Sequence, residues 1–415
     1  MAEEFLWGTA TAAHQVEGGN TGNDWWRWEQ QPGRIARGEV SGAASDHWNR
    51  VGADLALMRD LGANAYRFSI EWARLEPEPG RYDDAAWAHY ADEVAAYRAA
   101  GIEPMVTLLH FTLPAWLADR GGLLATDFAD RFGRFAAEAA ARLPDVRLWV
   151  TINEPNVVML MGYLEGTFPP GLRDPRQAMA ALVAQLRAHG AAALAIRAAL
   201  PSAKIGVANH LVAIEPKHPL SPLDRLVVRQ SAGLFNWGFQ DAIASGRIRF
   251  KAVGFPSVDL PAPELLGSTD FFGLNYYTRH LLSFAPATAS KVAEEPGPGP
   301  RTDLGWEIHP DGFEQVIRRA WHRYHLPVYV TENGIADASG LVRPAYLQWH
   351  VEAMRRAMAD RVPVLGYFHW SLMDNFEWAE GFAPRFGLYR VDYATQLRHR
   401  TPACDLFTDY ATGRR

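Results

Sequence analysis

The chain of 415 residues contains one cysteine, Cys404, which excludes an internal disulfide and any cysteine-rich zinc site. Lysine is nearly as scarce: Lys204, Lys217, Lys251 and Lys291 are the only four among 41 lysines and arginines. No run approaches the ~18 uncharged apolar residues of a membrane span. The N-terminus reads Met1-Ala2-Glu3-Glu4, acidic where a secretory leader needs a basic flank, so the expected location is cytoplasmic. A strong charge is missing too. The net value of −6 argues against a nucleic-acid or anionic-membrane partner, either of which favours a basic face. Disorder is excluded by what is abundant: 20 Phe, 14 Tyr and 15 Trp in a chain that is 48% hydrophobic.

Eight short runs rich in apolar, β-branched and aromatic residues recur along the chain. They are FLWGTATA (5–12), NAYRFSIEW (64–72), EPMVTLLHF (103–111), VRLWVTINE (146–154), KIGVANHL (204–211), DFFGLNYY (270–277), PVYVTEN (327–333) and VLGYFHWS (364–371). Their apolar character is nearly continuous, as in strands covered on both faces. Helix-period segments separate them, at 85–100, 126–142, 176–199, 312–324 and 343–359. Eight strands alternating with helices and no break in composition predict an α/β fold, a single closed (β/α)8 TIM barrel spanning 1–415 as one catalytic domain. A minimal barrel takes ~250 residues, leaving roughly 165 for elaborated loops on the C-terminal face. The clearest such loop is 283–301, which carries PGPGP at 296–300.

Barrel chemistry collects where strands end at that face. The ends carry His14 and Gln15 after strand one, Arg67 on strand two, His110 on strand three and Asn153-Glu154 on strand four. Strand six ends at Asn275-Tyr276-Tyr277, strand seven at Glu332-Asn333, and strand eight at Trp370, followed by Asp374, Glu377 and Trp378. A purely structural barrel has no reason to gather polar and aromatic residues on one rim. Glu154 and Glu332 stand out, because glycosidic-bond cleavage needs two carboxyl groups: one protonates the leaving oxygen and the other faces the anomeric carbon. Either alone reads equally well as a solvated glutamate. Flanked by Asn153, Tyr277 and Arg67, the pair favours chemistry. Trp7, Trp306, Trp370 and Trp378 suit sugar binding, in which an aromatic face packs against C–H groups. Trp25, Trp26 and Trp28 read as packing in the first loop.

Other chemistries fit less well. His14, His110 and His369 lie near strand ends, but no H-x-H or H-E-x-x-H spacing accompanies them, so no metal is expected. No lysine stands at a strand's C-terminal end for a Schiff base. Gly18-Gly19 is in the wrong context for a phosphate loop. No cofactor is expected.

The ordered segments FLWGTATAAHQVEG (5–18), YRFSIEWARLEP (66–77), LLHFTLPAWL (108–117), TINEPNVV (151–158), DFFGLNYYTR (270–279), LGWEIHPDG (304–312), VYVTENG (328–334) and WSLMDNFEWAEGFAPRFGL (370–388) resemble a glycoside hydrolase family 1 β-glycosidase over essentially the whole chain. The resemblance implies a retaining double displacement on terminal β-D-glucosyl residues, with β-galactosyl or β-fucosyl side activity. Glu332 would be the nucleophile and Glu154 the acid/base. An ionised Glu332 would be favoured by Arg67 and Tyr277, and a protonated Glu154 by the negative charge of Glu332. By the same matches Gln15, His110, Asn153, Trp370, Glu377 and Trp378 would grip the sugar, with Asn275 orienting them. Phe386 would line the sugar's 6-position and Trp306 would form an aglycone platform. A Glu377 carboxylate would repel a 6-phosphate. Phe111, Thr112 and Asn156 depart from the commonest pattern and leave the aglycone open. Three readings compete with hydrolysis: a transglycosylase with the same residues, a non-catalytic sugar-binding member of the fold, and a metal-dependent barrel hydrolase.

Overall fold

The computed structural model describes residues 4–252, 254–287 and 291–415. Eight parallel strands form a closed barrel: β1 (Leu6–Ala10), β2 (Ala65–Ser69), β3 (Glu103–Leu109), β4 (Leu148–Asn153), β5 (Lys204–Pro216), β6 (Phe271–Phe284), β7 (Val328–Asn333) and β8 (Val364–Trp370). Each pairs with the next in sequence, and β8 pairs with β1 through registers such as Trp7 with Tyr367. All eight expected strands are present, and the alternation of strand and helix gives the (β/α)8 fold.

Helices α1 (His47–Asp60), α2 (Asp84–Ala99), α3 (Phe128–Arg142), α4 (Pro175–Ala199), α5 (Pro222–Ala232), α6 (Gly238–Ser245), α7 (Pro310–Tyr324), α8 (Arg343–Ala359) and α9 (Ala403–Ala411) surround the strands. Their starts follow local chemistry. Asp83 accepts from the N–H groups of Ala85 and Ala86 at the head of α2, and Asp174 caps α4 ahead of Pro175. In α3, Phe128, Phe132, Phe135, Ala136 and Ala139 recur at three- and four-residue spacing and are buried. Phe135 stacks on Trp72 at 4.7 Å. By length and composition α4 is apolar enough to cross a membrane, yet 61% of its most apolar window is buried inside this fold.

Two apolar layers result. One lies between strands and helices and includes Phe68, Val106, Trp149 and Val330. The other fills the barrel itself with Met105, Val150, Phe271, Tyr329 and Phe368. Gly206 makes room for that filling, because a Cβ there would collide with the ring of Phe271.

Two strands outrun their expected limits, β5 to Pro216 and β6 to Phe284. The segment expected as an elaborate loop at 283–301 is partly sheet: β6 turns back antiparallel through Val292–Pro296. Residues 288–290 of that segment lie outside those described.

Candidate active site

Strict alternation along β4 and β7 does not bring both glutamates to the barrel mouth. In β4, Val150 packs inside the barrel while Ile152 belongs to the layer under the helices. Two-residue periodicity from Val150 would therefore turn Asn153 outward. A register shift between Val150 and Asn153 restores it to the mouth. A second shift between Val330 and Glu332 lets both Thr331 and Glu332 reach the same mouth from β7. Glu154 then sits in a left-handed conformation, φ 47°, directly before Pro155. That conformation is costly for a non-glycine residue and disfavoured before proline. It is held by a hydrogen bond from Glu154 N–H to the Ala208 carbonyl at 2.8 Å.

The Arg67 guanidinium organises the centre. It is fully buried and donates to Glu332 Oε1 at 2.5 Å, to Asn153 Oδ1 at 2.6 Å and to Thr107 Oγ1 at 3.1 Å. Tyr277 donates its hydroxyl to Glu332 Oε2 at 2.7 Å. Burial holds that phenol protonated, with the charges of Glu332 and Glu154 acting in the same sense. Thr331 donates to Asn275 Oδ1 at 2.6 Å. This turns the Asn275 amide nitrogen towards Glu154 Oε1, 2.8 Å away, and Asn153 Oδ1, 3.1 Å away. One network thus joins both carboxylates.

His210, on β5, completes it. Its Nδ1 lies 2.9 Å from Glu154 Oε1, and its ring stacks against Tyr277 at 6.0 Å. This residue acts on Glu154 in a way the sequence reading did not include. Burial works against a charged Glu154, but the charge and hydrogen bond of His210, then Asn275 and Arg67, outweigh it and hold the carboxyl below its ordinary value. Burial is also the largest influence on Glu332. Reinforced by the negative charge of Glu154, it outweighs Arg67 and Tyr277, so Glu332 is raised. The two carboxyls are thus pushed in opposite directions, Glu154 down chiefly by His210 and Glu332 up by burial.

The remaining candidate residues converge on the same mouth. Asn153 Nδ2 faces His110 Nε2 at 3.1 Å. Burial and then the charge of Arg67 push the His110 imidazole well below its ordinary value, so it is neutral. With Nε2 accepting from Asn153, Nδ1 carries the proton, and that buried atom has no partner among the described residues. Gln15 donates to the Phe376 carbonyl at 2.9 Å and to Glu377 Oε2 at 3.3 Å, and its buried Oε1 has no partner among the described residues. Trp370 and Trp378 lie nearly parallel to the His110 ring, with ring centroids 6.0 and 6.1 Å from it. Trp306 and Phe386 pack against Tyr277 at 5.6 and 6.1 Å. Phe386 is buried and Trp306 is half-buried.

Several rim residues belong elsewhere. Trp7 stacks on Tyr410 at 5.6 Å, against the C-terminal helix, and is a packing residue. Tyr276 and Asn333 alternate outward from Asn275 and Glu332. Tyr276 donates to the His309 carbonyl, and Asn333 bonds Tyr346. Asp374 closes a turn with Arg385 and the Gly387 N–H. Trp25 backs the site by packing on Trp378 at 4.6 Å. Glu377 is half-buried rather than a free carboxylate: its desolvation, then the charges of Glu332 and Glu154, push it up to about 8. Among the described residues no three His, Cys, Asp or Glu side chains are placed to hold a metal ion.

Sequence reasoning missed Thr107, Thr331 and His210. The first two are threonines whose role is visible only once their neighbours are placed. His210 carried a usable signal, since it lies at the end of the one barrel strand whose rim was left unread.

The chain as a whole has counterparts among known proteins. The model of glycosyl hydrolase family 1 matches residues 1–406. Beta-glucosidase A of Thermotoga maritima is 36% identical over 95% of this chain and 94% of its own length. A beta-galactosidase of Pyrococcus woesei is 33% identical over 95% of this chain and 94% of its own. The solved structure of the Thermotoga maritima beta-glucosidase in complex with deoxynojirimycin superposes with a TM-score of 0.93 at 34% identity, covering 99% of this chain and 98% of that one. Matched from end to end by both sequence and fold, the chain is an enzyme of glycosyl hydrolase family 1.

Proposed function

We propose that the protein is a retaining β-glycosidase that hydrolyses terminal β-D-glucosyl residues by double displacement. One observation carries this reading: two buried glutamates from opposite strands, each held by its own donors, share a single network at the barrel mouth. The negative charge of Glu154 raises Glu332, so the two carboxyls act as a pair sharing one proton. Positive charge developing at the anomeric carbon favours an ionised Glu332, so substrate drives the shared proton to Glu154. Glu332 then bonds to the anomeric carbon while Glu154 protonates the departing glycosidic oxygen. In the second step Glu154 takes a proton from water, whose oxygen attacks the same carbon and frees Glu332.

The surrounding groups suit a neutral sugar. His110 Nδ1–H and Gln15 Oε1 offer one unpaired donor and one unpaired acceptor. Glu377, neutral below about pH 8, can both donate and accept. Among the described residues its side chain bonds Gln15, and the charges that act on it most are carboxylates, which disfavours a sugar 6-phosphate. The relatives named beta-glucosidase and beta-galactosidase support a gluco or galacto glycone.

The experiment is turnover of aryl β-glycosides in the gluco, galacto, fuco, manno and 6-phosphogluco series, with the anomeric form of the first product followed by NMR. Wild type is run beside Glu332→Ala and Glu154→Ala. Expected are β-glucoside turnover, a β-configured first product and loss of activity in Glu332→Ala. An α-configured first product would overturn the double displacement.

A further inference from the structure

Accepting the proposed role of Glu154, we infer that His210 is a positioning residue for the acid/base step, clamping one carboxyl oxygen of Glu154 so that the other is presented to the glycosidic oxygen. Two hydrogen bonds reach the Glu154 carboxyl among the described residues, from His210 Nδ1 at 2.9 Å and Asn275 Nδ2 at 2.8 Å, and both end on Oε1. A carboxyl pinned by two donors on one oxygen keeps the second oxygen for the substrate. A carboxylate only accepts, so Nδ1 of His210 is its protonated nitrogen.

The imidazole is itself fixed. Its ring stacks on Tyr277 from β6 with a 20° interplanar angle and meets Phe235, beyond β5, edge-on at 6.0 Å. Its backbone carbonyl accepts from Asn156 Nδ2 at 2.8 Å. That amide comes from the position after Pro155, so the segment directly after β4 supplies both the glutamate and a tether for its partner. The charges facing His210 are Glu154 from β4 and Glu332 from β7. Burial disfavours the imidazolium, and both carboxylates favour it more strongly. His210 therefore stabilises the carboxylate form that Glu154 adopts each time it has protonated a leaving group.

A clamp of this kind matters in proportion to how much the leaving group needs a proton. A 2,4-dinitrophenolate leaves without one, whereas an alkoxide requires it. His210→Phe keeps a flat ring but loses the donor and the charge. His210→Asn keeps a donor and loses the charge. The test compares kcat/KM for 2,4-dinitrophenyl and methyl β-glucosides, which reports the first step alone, in wild type, both His210 variants and Glu154→Gln across pH. Loss of a charge-assisted hydrogen bond corresponds to about 10- to 100-fold in rate. His210→Phe is expected to lose about that much on the methyl glucoside and less than threefold on the dinitrophenyl substrate, and His210→Asn to recover part of the loss. The pH profile of methyl glucoside turnover is expected to shift in both His210 variants. Equal losses on the two substrates, or an unmoved pH profile, overturn the role given to His210. Should Glu154→Gln itself show no contrast between leaving groups, the assignment of Glu154 fails instead.

Discussion

Arg67 and Glu332 meet at 2.5 Å with side chains 0% and 4% exposed, so the ion pair is shielded from the water that weakens surface pairs. The same guanidinium holds Asn153 and Thr107, which a lysine ammonium on a flexible stem cannot match in one plane. Arg67→Lys keeps the charge and loses the fork. Each charged hydrogen bond lost corresponds to about 1.5–3 kcal/mol, or about 10- to 100-fold in rate. The variant is therefore expected to fall at least that far in kcat/KM on aryl β-glucosides. Activity within twofold of wild type would mean that charge alone suffices.

Tyr277 separates hydrogen bonding from packing. Its hydroxyl serves Glu332 Oε2, while its ring is set among Trp306, Phe386 and His210. Tyr277→Phe keeps those ring contacts, so its unfolding midpoint in urea should stay close to that of wild type. With one charged acceptor bond removed, kcat/KM should drop about 10- to 100-fold. A variant that lost stability in step with activity would show the hydroxyl to be structural.

How far the sequence could carry such arguments depended on the type of residue. Strand positions were legible because parallel strands covered on both faces are apolar almost throughout, as β8 is. Glu154, Glu332, Arg67 and Tyr277 were legible because a carboxylate or guanidinium at a strand end needs a reason to be there. The inward turn of Asn153 and Glu332 was not legible, since it depends on register shifts that no residue pattern announces. The pull on each carboxyl was illegible for a simpler cause. It was reasoned from the charges of Arg67 and Glu332, while burial and His210 contribute more.

Glu377 gives a pH-dependent prediction. Its carboxyl is pushed up to about 8, above the 4.5 of an exposed glutamate. Between those values the folded state holds a proton that the unfolded chain releases, so this group's contribution to stability falls as pH rises. Glu377→Gln keeps a neutral hydrogen-bonding side chain at every pH. Its melting temperature relative to wild type should therefore rise between pH 5 and pH 8.5. In wild type the KM for β-glucosides should climb above pH 8, as an ionised Glu377 loses its donor beside Glu332. A KM that stays flat to pH 9.5 would remove the neutral carboxyl from sugar binding.

Beneath α1, a buried charge cluster predicts a second pH effect. His47 Nδ1 bonds Asp54 at 2.7 Å and Nε2 faces Glu93 at 3.2 Å, while Arg398 reaches Asp54 at 2.9 Å. Burial opposes the imidazolium, but the hydrogen bonds to Asp54 and Glu93 outweigh it and lift His47 to about 10. A folded value above the unfolded 6.5 means that the stabilisation is complete below pH 6.5 and is lost as pH rises towards 10. Removing one partner of a buried ion pair costs about 3–5 kcal/mol, because the other charges are left unpaired. His47→Leu should lose about that much in urea unfolding at pH 6, and the gap from wild type should narrow at pH 10. A gap that stayed constant over this range would mean that His47 stabilises the fold by packing rather than by charge.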